Sequence, residues 1–275
     1  MTSSILRQDS TTRGAMPPWF CSGLCSMKLA VCVRLLSMTL LLATLGWLGP
    51  ALAGAAGGSG TWQVVLAAGD DAEPVFDNAT REMSRRLVAA GIPADNIHRL
   101  SASPPELAAG AEPATAQLLL RRISDLPARP GNRCLIFLTS HGERGSGVWL
   151  ARSNRALTPD ELARALSGGC AAVPTVVIVS ACYSGSFATG KMARANRVVL
   201  TAARGDRPSF GCQVHRTYNF FDECLLGVLP QAATWRSVFD GADRCVRRME
   251  HALGARPSEP QAYFGGTVAA MRVGF

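Results

Sequence analysis

A cysteine and a histidine, each placed just beyond a run of apolar residues, are the groups in this 275-residue chain whose types and setting could do chemistry. Cys182 follows Val176-Val177-Ile178-Val179-Ser180-Ala181 and leads at once into Tyr183-Ser184-Gly185. His141 follows Cys134-Leu135-Ile136-Phe137-Leu138-Thr139-Ser140 and precedes Gly142. A thiol and an imidazole are the minimum for a thiolate nucleophile with its acid/base partner. A lone cysteine behind an apolar strand is more often an inert thiol or half of a disulfide. The matching Ser-His-Gly at the end of a second such run turns the reading towards catalysis.

Both runs are continuously apolar and rich in β-branched residues, which marks strands covered on both faces, as in a parallel sheet. If the two strands are parallel neighbours, thiol and imidazole meet at the carboxyl edge of the sheet, where α/β folds place their chemistry. The rest of the chain supplies the elements for such a sheet. Thr61 to Gly69 reads as a first strand, and Asp70-Asp71-Ala72-Glu73-Pro74 as an acidic turn. A helix opens near Phe76, with Met83, Leu87 and Val88 at helical spacing, and Gly91 with Pro93 closes it. Asn96 to Ser101 is a second strand, and this strand–helix–strand unit implies parallel pairing with a right-handed crossover. Ser103 to Pro113 reads as a loop and Ala116 to Leu126 as a short helix; Glu143 to Gly147 reads as a polar loop. Thr158-Pro159-Asp160-Glu161 is a capping box for a helix that runs to Gly169. A fifth strand over Arg197–Ala203, helices near Thr217–Leu229 and Thr234–Leu253, and a last strand at Gln261–Gly265 complete the reading.

Ser140-His141-Gly142 after one strand and Ala181-Cys182-Tyr183-Ser184-Gly185 after another resemble the legumain (hemoglobinase-type) cysteine peptidases. That family shares the caspase-like fold with caspases, gingipains and the transamidase that attaches GPI anchors. The caspase signature has glycine within two residues of the cysteine, and the longer Cys-Tyr-Ser-Gly spacing here favours the legumain branch. The opening order, Val64-Val65-Leu66-Ala67-Ala68-Gly69, a helix, then Gly91-Ile92-Pro93-Ala94-Asp95-Asn96-Ile97, is similar to the start of the legumain peptidase domain. The resemblance implies an α/β fold: a three-layer α/β/α caspase-like sandwich with a mostly parallel central sheet of about six strands, in a bacterial-type single-domain member. It implies a cysteine endopeptidase that cleaves peptide bonds through a Cys182 thioester, with His141 as general acid/base. The backbone N–H groups of Gly142 and Cys182 are the expected oxyanion hole, because a residue without a side chain lets substrate approach the backbone. Rival readings are a transamidase of the GPI-transamidase type and a catalytically silent caspase-like peptide-binding module. The absence of Cys-x-x-Cys weakens a thiol-redox role.

The substrate pocket is where the chain departs from the pattern. The legumain pocket for asparagine is lined by an arginine just before the first helix, an acidic residue two before the cysteine, and a later serine and aspartate. Asp77 falls at the arginine position, Ser180 at the acidic one, and Ser209 of Arg207-Pro208-Ser209-Phe210-Gly211-Cys212 at the serine. Asp222 lies near the region of the aspartate. An acidic residue in place of arginine predicts that asparagine preference is lost and a basic side chain becomes acceptable. The alternative is that Asp77 caps its helix.

The remaining features bound the setting. Residues 1–53 read as a secretory signal, with Met27 a possible true start: a weakly basic segment, an apolar core and an Ala51-Leu52-Ala53 cleavage site. The apolar core is shorter than the ~20 residues of a membrane span, so the expectation is an exported protein, periplasmic or extracellular, with no stable span after cleavage. Residues 54–275 are read as one domain. The whole chain carries a formal charge of +8. Beyond residue 53 the basic residues are arginines apart from Lys191, and no basic run of nucleic-acid type occurs. The expected partner is a peptide or protein substrate, not nucleic acid. Six cysteines follow residue 53: Cys134, Cys170, Cys182, Cys212, Cys224 and Cys245. Disulfides are expected among Cys170, Cys212, Cys224 and Cys245, with pairing open and Cys134 a buried strand thiol. No ligand spacing points to zinc, and no cofactor is implied.

Overall fold

Alternate residues of the central strands enter two separate hydrophobic clusters, and that alternation generates the layers. In the computed structural model of the chain, which describes residues 61–213 and 215–275, β1 (Trp62–Ala68), β4 (Arg133–Thr139) and β8 (Thr175–Ser180) are buried along almost their whole lengths. Val65, Ala67, Ile136, Leu138, Val177 and Val179 face one cluster. Val64, Leu66, Leu135, Phe137, Val176 and Ile178 face the other. A strand with both faces covered reads as an unbroken apolar run, which is what these stretches are. The first cluster packs under α3 (Ala116–Ser124) and α4 (Pro159–Gly169) through Leu119, Ile123, Leu162 and Leu166. The second packs under α1 (Val75–Ala89), α5 (Phe220–Val228) and α6 (Trp235–Ala252) through Met83, Leu87, Leu225, Trp235 and Val238. Each fully buried side chain of this size contributes about 1.5–3 kcal/mol.

With β2 (Ile97–Ser101), β3 (Glu112–Pro113), β9 (Arg197–Thr201) and β10 (Gln261–Phe264), the sheet has seven strands in the order β10-β9-β8-β4-β1-β2-β3. Only β10 runs antiparallel to its neighbour; the other pairs are parallel. The result is the expected mostly parallel three-layer sandwich, with one strand more than the six anticipated. The additional strand is β3, in the segment Ser103–Pro113 that reads as a loop. Pro104 and Pro105 there start the short helix α2 (Pro104–Ala108), and β3 adds two rungs to β2, Leu100↔Glu112 and Ser101↔Pro113. The stretch after His141 is likewise no plain loop. β5 (Gly142–Glu143), β6 (Gly147–Leu150) and β7 (Arg155–Leu157) form a small antiparallel sheet. The capping box of α4 is present: Thr158 Oγ1 accepts from the Glu161 N–H, and the Glu161 carboxylate accepts from the Thr158 N–H.

The cysteine pairing differs from expectation in two places. Cys134 is bonded to Cys170, and Cys224 to Cys245, leaving Cys182 and Cys212 free among the described residues. Strand parity explains the first correction. Cys134 shares the face of Ile136 and Leu138, so it points at the end of α4, where Cys170 stands. Cys212 instead packs against Ala68, Val75 and Phe76, away from the paired cysteines. The expected signal segment lies outside the described residues, within which no helix is long and apolar enough to cross a membrane.

The Cys134–Cys170 bridge spans 36 residues of sequence, and a loop of that size is worth about 3–4 kcal/mol. The paired substitution Cys134→Ala with Cys170→Ala is expected to lower unfolding free energy by about that amount in urea titrations. Retention of full stability would show that the bridge adds nothing to this core.

Candidate active site

Thr139 and Ser180 are the last paired residues of β4 and β8 and stand directly opposite one another. One further bond, from the Ser140 N–H to the Ser180 carbonyl at 3.1 Å, continues the pairing past the strand ends. His141 and Cys182 each follow two residues beyond that rung, so the sheet delivers both to one edge. Gly142 makes the junction tight. A Cβ on Gly142 would lie 1.9 Å from the Cys182 carbonyl oxygen, so only glycine lets the chain after the histidine cross the cysteine's own peptide. The space that the missing side chain leaves is therefore filled by Cys182 backbone.

Beyond Cys182 the chain turns within one residue. Tyr183 adopts the left-handed conformation, with φ 59°, at a cost of about 1–2 kcal/mol for a non-glycine residue. Its N–H donates to the Arg207 carbonyl at 2.8 Å, and the Arg144 guanidinium lies over its ring at 5.7 Å. The Cys182 sulfur accepts from the Ser209 N–H at 3.3 Å and lies 3.7 Å from the Ser209 hydroxyl. The Cys182 N–H has no acceptor among the described residues.

His141 is gripped from the other side of β4. Its Nε2 is 2.9 Å from a Glu73 carboxylate oxygen, and the Phe76 ring meets the imidazole edge-on at 5.2 Å. Both partners come from the turn and first helical residues after β1. That turn is held by the Gly69 N–H to the Thr139 carbonyl at 3.0 Å and by the Ala72 N–H to the Asp70 carboxylate at 2.8 Å. With Nε2 engaged, Nδ1 is the ring nitrogen left for proton transfer. Glu73 was not picked out from the sequence; it is one of three carboxylates in an acidic turn, and nothing local distinguishes the one that reaches across to β4.

Beneath the pair lies a closed polar cluster. The fully buried Asp222 accepts from Thr139 Oγ1 and from Asn219 Nδ2, both at 2.6 Å. Asn219 Nδ2 also lies 3.2 Å from Ser180 Oγ, and its Oδ1 accepts the Asp222 N–H at 2.8 Å as the cap of α5. Burial pushes the Asp222 carboxyl up to about 7, against the hydrogen bonds it receives. Cys212, the second free cysteine, is pushed up to about 12, chiefly by burial and also by the nearby Cys182, Asp222 and Glu73.

The three expected pocket residues separate. Ser209 lies against the Cys182 sulfur. Ser180 is buried and belongs to the polar cluster below. Asp77 is also buried; its carboxylate accepts from Ser101 Oγ at 2.7 Å, and burial raises its pKa. It is not the cap of α1, because Pro74 occupies that position and Asp77 is the third helical residue.

The sequence pattern of the Peptidase C13 family matches residues 122–235, the segment that contains His141, Cys182, Ser209 and Asp222. No curated protein matches by sequence. Among solved structures, the crystal structure of caspase-1 from Spodoptera frugiperda is similar, with a TM-score of 0.51 and 13% identity over 75% of this chain and 86% of that one. At that identity the likeness shows the fold, which is caspase-like, and the matched segment that holds His141 and Cys182 is similar to the Peptidase C13 family.

Proposed function

We propose that the protein is an endopeptidase in which Cys182 is the nucleophile and His141 the general acid/base. The observation that carries this is the shared last rung of β4 and β8, from which both residues emerge side by side. In the reaction His141 takes the thiol proton and the Cys182 sulfur attacks the scissile carbonyl. The imidazolium then gives its proton to the leaving amine as the C–N bond breaks, which leaves a thioester. Water, deprotonated by the same imidazole, hydrolyses the thioester and returns the thiol. The Cys182 N–H, free of other acceptors, and the Gly142 N–H serve the oxyanion. Glu73 fixes the ring orientation and tautomer through Nε2 and stabilises the imidazolium formed in each half-reaction. Ser209 borders the substrate beside the sulfur, whereas Asp77 and Ser180 are buried on other partners and make no substrate contact in this reading. The two disulfides support export to an oxidising compartment.

The test uses the wild-type chain beside Cys182→Ala, treated with iodoacetamide and then offered a peptide library varied at the residue before the cut. Labelling at Cys182 with cleavage lost in the variant is the expected result; an unlabelled Cys182 would overturn the assignment. Cys212 stays unlabelled at neutral pH, because burial keeps its thiol protonated, and mass spectrometry of the labelled peptides checks this.

Glu73→Gln keeps the shape but removes the carboxylate charge. It is expected to lower kcat by about 10- to 100-fold with little change in KM. Unchanged kcat would remove Glu73 from the mechanism.

A further inference from the structure

Asp222 is the described carboxylic acid whose environment departs furthest from water, and the reaction above does not use it. It sits at the start of α5, fully buried, with no cation bonded to it. What it touches is the last rung of the two strands that carry His141 and Cys182. Thr139 donates to its Oδ2 directly, and Asn219 links that same oxygen to Ser180 on the opposite strand. Its other oxygen, Oδ1, has no partner among the described residues. The elements packed around it present no compensating charge. β4 offers Thr139, β8 offers Ser180, and the turn before α5 offers Asn219, all neutral. The Cys212 thiol is the titratable group coupled to it, and it is protonated at neutral pH. From α1, Arg86 is spent on the Leu226 carbonyl and Glu82, and Asp77 on Ser101. From α6, Glu250 is held by the Ser258 N–H.

Resting on the Cys182–His141 reading, we propose that Asp222 is a positioning residue for that pair, its neutral carboxyl holding the shared rung of β4 and β8 from beneath. A buried carboxylate with an orphaned oxygen and no cation is costly. Ionisation strengthens the two bonds that Oδ2 accepts but leaves a buried charge with nothing to compensate it, and that cost falls on the anchor of both strands together. Burial brings this carboxyl to about 7, so its titration falls between pH 6 and pH 8. A carboxyl raised on folding contributes stability that is complete below its ordinary value of 3.8 and is lost as pH rises through 7. The wild-type protein should thus lose thermal stability between pH 5 and pH 8, and Asp222→Asn, which cannot ionise, should lose less.

The deciding experiment measures the rate of Cys182 alkylation by iodoacetamide, and peptide cleavage in parallel, from pH 6 to 8 for wild type and Asp222→Asn. The ratio of variant to wild-type rate is expected near one at pH 6. It should rise towards about tenfold at pH 8, the factor by which a group of pKa 7 loses its neutral form in one pH unit. The change should appear in kcat and not in KM. A ratio that is flat with pH, whether at one or far below it, overturns the positioning role and leaves the peptidase reading intact. The predicted ratio in alkylation without cleavage of any peptide sinks the peptidase reading and keeps the role of Asp222. Failure to label Cys182 in the wild type overturns both. If Asp222→Asn does not fold, Thr139→Val removes one donor to the ionised form and should move the break in the wild-type profile to higher pH; an unmoved break overturns the proposal.

Discussion

The pairing of β4 with β8 down to the rung of Thr139 and Ser180 is the constraint on which the site depends. Because side chains alternate along a strand, a slip of one residue would turn Ile136, Leu138, Val177 and Val179 out of the layer they share with α3 and α4. The two apolar faces therefore hold the register, and the register decides where the chain emerges. Gly142 then closes the distance between the two emerging segments, since its backbone lies directly against that of Cys182. Hydrophobic burial on either side of the sheet is in this way converted into the placement of two polar side chains that contribute nothing to it.

The histidine needs a second source of order, and the topology supplies it. From β1 the chain moves outward to β2 and β3, then returns to lay β4 on the other side of β1. A crevice opens at such a reversal, at the carboxyl ends of the strands. Glu73 comes from the turn after β1 and His141 from the end of β4, so their contact bridges this crevice. The cysteine lies one strand further along, just past the end of β8. Its sulfur is supported from the segment after β9, through the Ser209 N–H. Four successive strand ends, those of β1, β4, β8 and β9, thus contribute to one constellation.

What could be read from the sequence was what local pattern encodes. The apolar runs before His141 and Cys182, and the Thr158 capping box, each carry their signal within a few residues, and the structure places strands and a helix there. Helix α5 begins close to its expected position because Asn219 caps it. The groups that escaped notice act over long separations. Thr139 and Asp222 are 83 residues apart, and His141 and Glu73 are 68. Neither pair has a spacing that marks it. Cys134 was misread because a strand cysteine can face either layer, and only its position relative to Cys170 decides the bond. Asp77 looked like either a cap or a pocket group from its place near the helix start, yet its partner is Ser101 on the neighbouring strand β2. Secondary structure was legible; tertiary partners of polar side chains were not.

The two disulfides close consecutive loops, residues 134–170 and 224–245, which neither nest nor overlap. The span between them carries Cys182 and Cys212, the free thiols among the described residues. Cys134 and Cys170 are wholly buried, whereas Cys182 is partly accessible. Thiol–disulfide exchange requires the attacking sulfur to reach its target. A small disulfide or oxidant therefore meets the Cys182 sulfur in the folded protein, but a reductant reaches the Cys134–Cys170 bond only after the core opens. The Cys134–Cys170 bridge and the Cys182 thiol thus stand in separate redox regimes: one sulfur meets reagents in the folded protein, while the bond beneath the sheet meets them only once the core opens.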